Sequence, residues 1–203
     1  MTDDSGGPVF VVVLAAGLAT RMGETKQLLP WRGKPILQHV VDAAEASCAD
    51  DIVVVLGHDA MSIAGAIRLG TRSRIVTNPG FARGQASSLR AGVSAAGDAA
   101  AVVVLLGDQP EIRPQTIDAV VGRWRQTDRP VVRCLRVGTP SHPVLLAREV
   151  WSHLPETGEE GARHVIAAYP HLVEDLPLGE ELPDLDDPGD YRLLMEADNC
   201  LWI

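Results

Sequence analysis

VVVLAAGLATRMGETKQLLPWRGKP, residues 11–35, is the stretch from which the rest of the chain can be read. Taken with the residue before it, FVVVLA (10–15) is a continuous apolar run, as a strand covered on both faces must be. The run breaks into Ala-Ala-Gly and then a loop carrying Arg21 and Lys26. The chain holds 18 Lys+Arg, yet its lysines are two, Lys26 and Lys34, and both fall here. A buried strand that delivers scarce lysines to the loop behind it marks an edge where compact cations have a use.

Outward from this strand, the apolar pattern alternates between strand and helix. A helix opens at Pro35, with Ile36, Leu37, Val40, Val41 and Ala44 as its apolar stripe. DIVVVLG (51–57) reads as the second strand, Ala60–Leu69 as a short helix and RIVTN (74–78) as the third strand. QASSLRAGVSAA (85–96) is helical, and AAVVVLLGD (100–108) is the strongest strand of all. Pro114 starts a helix with Ile117, Val120, Val121 and Trp124 inward, and PVVRCL (130–135) is a further strand. SHPVLL (141–146) fits a strand, AREVWSHL (147–154) and GARHVIAAY (161–169) read as helical, and a last helix spans Tyr191–Glu196. Strands alternating with helices predict an α/β fold: three Rossmann-like layers around a mainly parallel sheet.

Composition narrows the function. A chain of 203 residues suits one domain, 1–203, with residues 1–8 expected to be disordered. Nine acids face nine bases over 1–100 and eight face eight over 101–173; the net −9 comes from 174–203, where ten acids face only Arg192. Such a balance disfavours nucleic acid and anionic membrane as partners, while a local cationic cleft still takes one small anion. The apolar run VFVVVLAA is too short to span a bilayer and the acidic N-terminus is unlike a secretion signal, so the cytoplasm is expected. Cys48, Cys134 and Cys200 are scattered, and neither a disulfide framework nor a zinc knuckle is expected.

Open α/β sheets bind ligands at the carboxyl ends of their strands. Three stretches of unusual composition fall there: AAGLATRMGETK, NPGFARGQASS and GDQP. In the first, Gly17 and Gly23 permit close backbone approach to a phosphate, Arg21 offers a fork for phosphate oxygens and Lys26 a point charge. A surface turn with solvated bases is the plainer account of that loop. In the third, Asp108 emerges from a buried strand after Gly107, placed as a Mg²⁺ ligand or as a cap for the turn before Pro110. Between them, Asn78 opens a segment where Gln85, Ser87 and Ser88 crowd a helix start, suited to reading a nucleobase edge or simply to capping.

LAAGLATRMGETKQLLPWRGKPIL (14–37) resembles the opening signature of MobA-like NTP-transferase domains, above all the molybdenum cofactor cytidylyltransferases. GQASSLRAG (84–92), LLGDQP (105–110), PSHPVLL (140–146) and DLDDPGDY (184–191) resemble later signatures in the same order. The resemblance implies a nucleotidyltransferase that moves a nucleoside monophosphate from a nucleoside triphosphate onto a phosphorylated small-molecule acceptor such as molybdopterin, releasing pyrophosphate. It places Leu14, Ala15, Ala16 and Gly17 at base and ribose, Arg21 and Lys26 on the triphosphate, and Gln85 and Ser88 near the base. Asn78 and Gly107 complete the nucleotide side, and Asp108 and Asp186 hold Mg²⁺. Ala-Ala-Gly in place of Ala-Gly-Gly favours CTP. Ser141 stands where the family has glycine before His-Pro: if His142 lines the acceptor pocket, this departure points to an acceptor other than the usual pterin, and otherwise His142 is a turn histidine. A molybdoenzyme receiving the product is the implied protein partner.

Two other functions fit the same fold. Some similar domains are nicotinamide-dependent oxidoreductases, although no Gly-x-Gly-x-x-Gly follows the first strand here and Asp59 is the only acid placed to meet a ribose. A non-catalytic nucleotide-binding chaperone would bind the same triphosphate and release no pyrophosphate.

Overall fold

The computed structural model of the chain describes residues 6–17, 25–179, 185 and 187–200. Seven strands form one sheet: β1 (Val9–Ala15), β4 (Asp51–Leu56), β5 (Ser73–Thr77), β6 (Ala101–Leu106), β7 (Val131–Arg136), β8 (Thr139–Ala147) and β9 (Val173–Leu178). Their order is β5-β4-β1-β6-β8-β7-β9, and β8 alone runs antiparallel to its neighbours. Two further short strands, β2 (Pro30–Trp31) and β3 (Lys34–Pro35), pair as a ribbon. Arg32 and Gly33 close it with φ of 45° and 77°, the paired left-handed conformation that suits a two-residue hairpin turn.

The apolar runs explain the layers. Val11, Val12 and Val13 of β1 are all fully buried, because alternate residues point into two different cores. Val11, Val13 and Ala15 pack with α1 (Ile36–Glu45), α2 (Ala60–Ala66) and α4 (Pro114–Gln126). Val12 and Leu14 pack with α3 (Gln85–Ala95) and α5 (Ala162–Ala168) on the other face. Each large aliphatic side chain so buried contributes about 1.5–3 kcal/mol. The result is the expected three-layer α/β arrangement with a mainly parallel sheet.

From β1 the chain steps outward to β4 and β5, then returns to place β6 on the opposite side of β1. The winding reverses at the β1/β6 seam, and a crevice opens beyond the carboxyl ends of strands at such a point. The antiparallel β8 also contributes, since its early residues lie at that same edge: Val144 is level with Val104, and His142 precedes it.

Several local expectations are corrected. The first helix begins at Ile36, with Pro35 as its N-cap, because Pro35 is held in the β2/β3 ribbon. Residues 148–153, expected to be helical, form a 3-10 helix. The strand β9 was not anticipated, because its VEDLPL sequence mixes acids and a proline; it is an edge strand, where proline is tolerated. The last helix, α6, is longer than expected, Pro188–Cys200. At the N-terminus, Pro8 accepts a hydrogen bond from the Ala100 N–H (2.7 Å).

Candidate active site

The β1/β6 seam is tight. Gly107 N–H donates to the Leu14 carbonyl (2.9 Å), and a Cβ on Gly107 would stand 2.9 Å from the Ala15 Cβ and 3.1 Å from Leu37. Only glycine lets the chain leave β6 this close to β1, so Asp108 emerges directly over the crevice. From the other side, Lys26 opens a 3-10 turn, Lys26–Leu28, closed by Leu28 N–H on the Thr25 carbonyl (2.8 Å). The Thr25 hydroxyl donates to Asp59, which ties this loop to the start of α2.

The two charged groups meet. Lys26 Nζ is ion-paired with Asp108 Oδ2 and donates to the Leu185 carbonyl (3.2 Å). Both side chains retain little solvent contact, 16% and 15%. The other carboxylate oxygen, Asp108 Oδ1, is buried and has no hydrogen-bond partner among the described residues. A buried carboxylate oxygen without a donor is costly unless a cation or donor arrives with the ligand. This is the chemistry a hard divalent ion fits: Mg²⁺ takes one or two carboxylates and fills its remaining positions with substrate phosphates and water. Among the described residues, no group of three or more His, Cys, Asp or Glu is placed to hold a metal ion.

The other anticipated residues are distributed as follows. Leu14, Ala15 and Ala16 are buried at the end of β1 and Gly17 is exposed beyond them. Asn78 continues from β5 with its N–H on the Leu56 carbonyl (2.8 Å), its side chain donating to Ser87 Oγ (2.9 Å) and Ser88 Oγ (3.1 Å). Asn78 and Ser88 are both buried, so these polar atoms pin the start of α3 against β5. Gln85 and His142 share a small cavity with Ser141, Val144, Glu160 and Arg163. Burial, and then the charge of Arg163, push the His142 imidazole down to about 4, so it is neutral at pH 7. Lys34 lies at the entry to α1, half-exposed, with Nζ 2.6 Å from Asp42 Oδ2. The two lysines therefore have different surroundings. Arg21 and Asp186 lie outside the described residues.

Sequence reasoning missed Leu185 and the Thr25–Asp59 tie. Neither carried a signal, since a main-chain acceptor has no residue type to recognise and Asp59 lies 34 positions from Thr25.

Comparisons with known proteins agree with this architecture. The molybdenum cofactor cytidylyltransferase of Escherichia coli K12 is 26% identical over 181 residues, covering 89% of this chain and 92% of that protein. The nicotine blue oxidoreductase of Paenarthrobacter nicotinovorans is 29% identical over 196 residues, covering 90% and 95%. A crystal structure of Rv0371c from Mycobacterium tuberculosis H37Rv in complex with manganese superposes with a TM-score of 0.79 at 29% identity, covering 94% of this chain and 99% of that one. Residues 11–173 match the MobA-like NTP transferase domain, and the chain belongs to that family of nucleotidyltransferases.

Proposed function

We propose that the chain transfers a nucleoside monophosphate, CMP from CTP, to a phosphorylated acceptor of the molybdopterin class, with release of pyrophosphate. The observation that carries the reading is the Lys26–Asp108 pair at the β1/β6 seam, with one Asp108 oxygen buried and unpartnered among the described residues. Cytidylyl as the transferred group rests on Ala15-Ala16-Gly17 and on the related E. coli enzyme.

In this reading an oxygen of the acceptor's phosphate attacks the α-phosphorus of the triphosphate. The bond to the bridging oxygen of the β-phosphate breaks, and pyrophosphate leaves with the electron pair. The acceptor phosphate is already ionised at neutral pH, so no general base is needed. Asp108, with Asp186 as the second acid, would hold Mg²⁺, which when bound neutralises phosphate charge. Lys26, held beside Asp108, and Arg21 meet the charge that builds on the departing group. Backbone at Leu14–Gly17 and Gly107 walls the nucleotide, Asn78 and Ser88 fix the start of α3, and Gln85 lies near the base. His142 faces the acceptor as a neutral donor or acceptor and adds no cation there. A molybdoenzyme would receive the product.

The second reading, reduction with a nicotinamide nucleotide, is favoured by the likeness to nicotine blue oxidoreductase. Against it, no Gly-x-Gly-x-x-Gly follows β1, and the one acid past β4, Asp59, is engaged by Thr25. A thermal-shift panel of CTP, GTP, ATP, UTP and NADH, each with Mg²⁺ and with EDTA, separates the two. Stabilisation by CTP that requires Mg²⁺ supports transfer. Stabilisation by NADH alone, indifferent to metal, overturns it.

A further inference from the structure

We infer that Leu185 is a positioning residue for Lys26, through which the seating of the C-terminal segment sets the aim of the catalytic ammonium. The inference rests on the transfer reading for the role of Lys26, and on separate contacts for the rest.

Leu185 does two things at once. Its side chain is fully buried in a small cluster with Trp31, Ile36 and Leu194, against which Leu29 and Tyr191 pack. Its carbonyl accepts a hydrogen bond from Lys26 Nζ (3.2 Å), the same nitrogen that pairs with Asp108. The cluster joins β2 (Trp31) and the start of α1 (Ile36) to the C-terminal helix (Leu194). Tyr191 adds a polar clasp, its hydroxyl donating to the Pro30 carbonyl (2.6 Å). The stretch from Lys26 to Pro30 is thereby held at two points by residues more than 150 positions away in the chain, Leu185 at Lys26 (separation 159) and Tyr191 at Pro30 (separation 161).

A lysine tip is the least predetermined of cations, with four rotatable carbons and three equivalent donors. Acceptors at fixed places around one ammonium restrict its direction. Asp108 supplies one from the sheet and Leu185 another from the C-terminal segment. Arginine would need no such second support, because its planar fork is already oriented. The leucine side chain is the anchor and the carbonyl is the contact, so shrinking the side chain loosens the contact without removing any atom that touches Lys26.

The chain's two lysines make this measurable. Trace acetylation of the chain, read by peptide mass spectrometry, reports Lys26 against Lys34, whose half-exposed ammonium beside Asp42 serves as the internal standard. Leu185→Ala is expected to raise the Lys26:Lys34 labelling ratio by about fivefold, through local opening of the segment. Leu185→Met, which refills the site, restores the ratio to within about twofold of the parent. Leu89→Ala truncates a fully buried side chain in the core on the α3 face and is expected to leave the ratio unchanged, whatever it costs in melting temperature. Should Leu185→Ala fail to fold, Tyr191→Phe removes only the clasp on Pro30 and is expected to raise the ratio by about twofold. An unchanged ratio in the folded Leu185 variant, or in Tyr191→Phe where it stands in, overturns the inference, as does an equal rise in Leu89→Ala. No nucleotide enters the assay, so its failure leaves the transfer reading standing, and absent nucleotide binding leaves the labelling result interpretable.

Discussion

Replacing Asp108 by asparagine keeps the side chain's size and removes its charge. In the apo protein the loss is partial. Removing one partner of a fully buried ion pair costs about 3–5 kcal/mol, but here both tips keep some solvent contact and the amide oxygen still accepts from Lys26. About 1–2 kcal/mol is therefore expected, about 2–8 °C in melting temperature for a chain of this size. The larger effect lies in the ligand response. At about 100 times its Kd, metal-bound CTP stabilises the parent by about 2.7 kcal/mol. Loss of one carboxylate ligand weakens binding by at least about tenfold, which deletes about 1.4 kcal/mol of that gain. The Mg²⁺-dependent part of the CTP shift should fall by about half, and scanning fluorimetry with Mg²⁺ or EDTA reads it directly. An Asp108→Asn protein whose CTP shift depends on Mg²⁺ as strongly as the parent's would refute the assignment of the buried oxygen to a metal.

Other perturbations probe the surroundings of that pair. Lys26→Ala and Arg21→Ala should each lower kcat/KM by about tenfold or more, about 1.4 kcal/mol, with the circular dichroism spectrum unchanged; equal kinetics would remove them from the mechanism. Gly107→Ala places a methyl 2.9 Å from the Ala15 Cβ and should cost about 1–3 kcal/mol in urea unfolding, whereas unchanged stability would mean the seam is looser than described. The His142 imidazole falls from 6.5 to about 4 on folding, so its share of stability is complete above pH 6.5 and is lost as pH drops toward 4. In that window the slope approaches about 1.4 kcal/mol per pH unit, and His142→Gln should flatten the parent's stability-versus-pH curve by that amount. Parallel curves for parent and variant would contradict the neutral histidine.

How much was legible follows from the physics of each signal. The continuous runs in β1 and β6 reveal strands buried on both faces, and the odd residues just beyond them, Lys26 and Asp108, fall where an α/β sheet binds ligands. Both fall at one edge because parallel strands present their carboxyl ends to the same side, whatever their order. Direction is harder. The periodicity of SHPVLL allows a strand but does not say that β8 runs antiparallel, which is what brings His142 to the ligand edge. The edge strand β9 escaped because one exposed flank lets acids and Pro177 replace an apolar pattern. The Leu185 contact with Lys26 crosses 159 positions through a main-chain oxygen, and no local pattern encodes it.

The central claim is that this crevice breaks the bond between the α- and β-phosphates of a nucleoside triphosphate. The direct measurement is pyrophosphate release, together with the mass of the product, from the purified full-length chain given CTP, Mg²⁺ and molybdopterin. One pyrophosphate per acceptor consumed, with the acceptor heavier by one cytidylyl group and the signal abolished by EDTA, is the predicted result. Tight, metal-dependent CTP binding with no pyrophosphate from any nucleoside triphosphate and phosphorylated acceptor would contradict it, and would leave a protein that holds the nucleotide without cutting it.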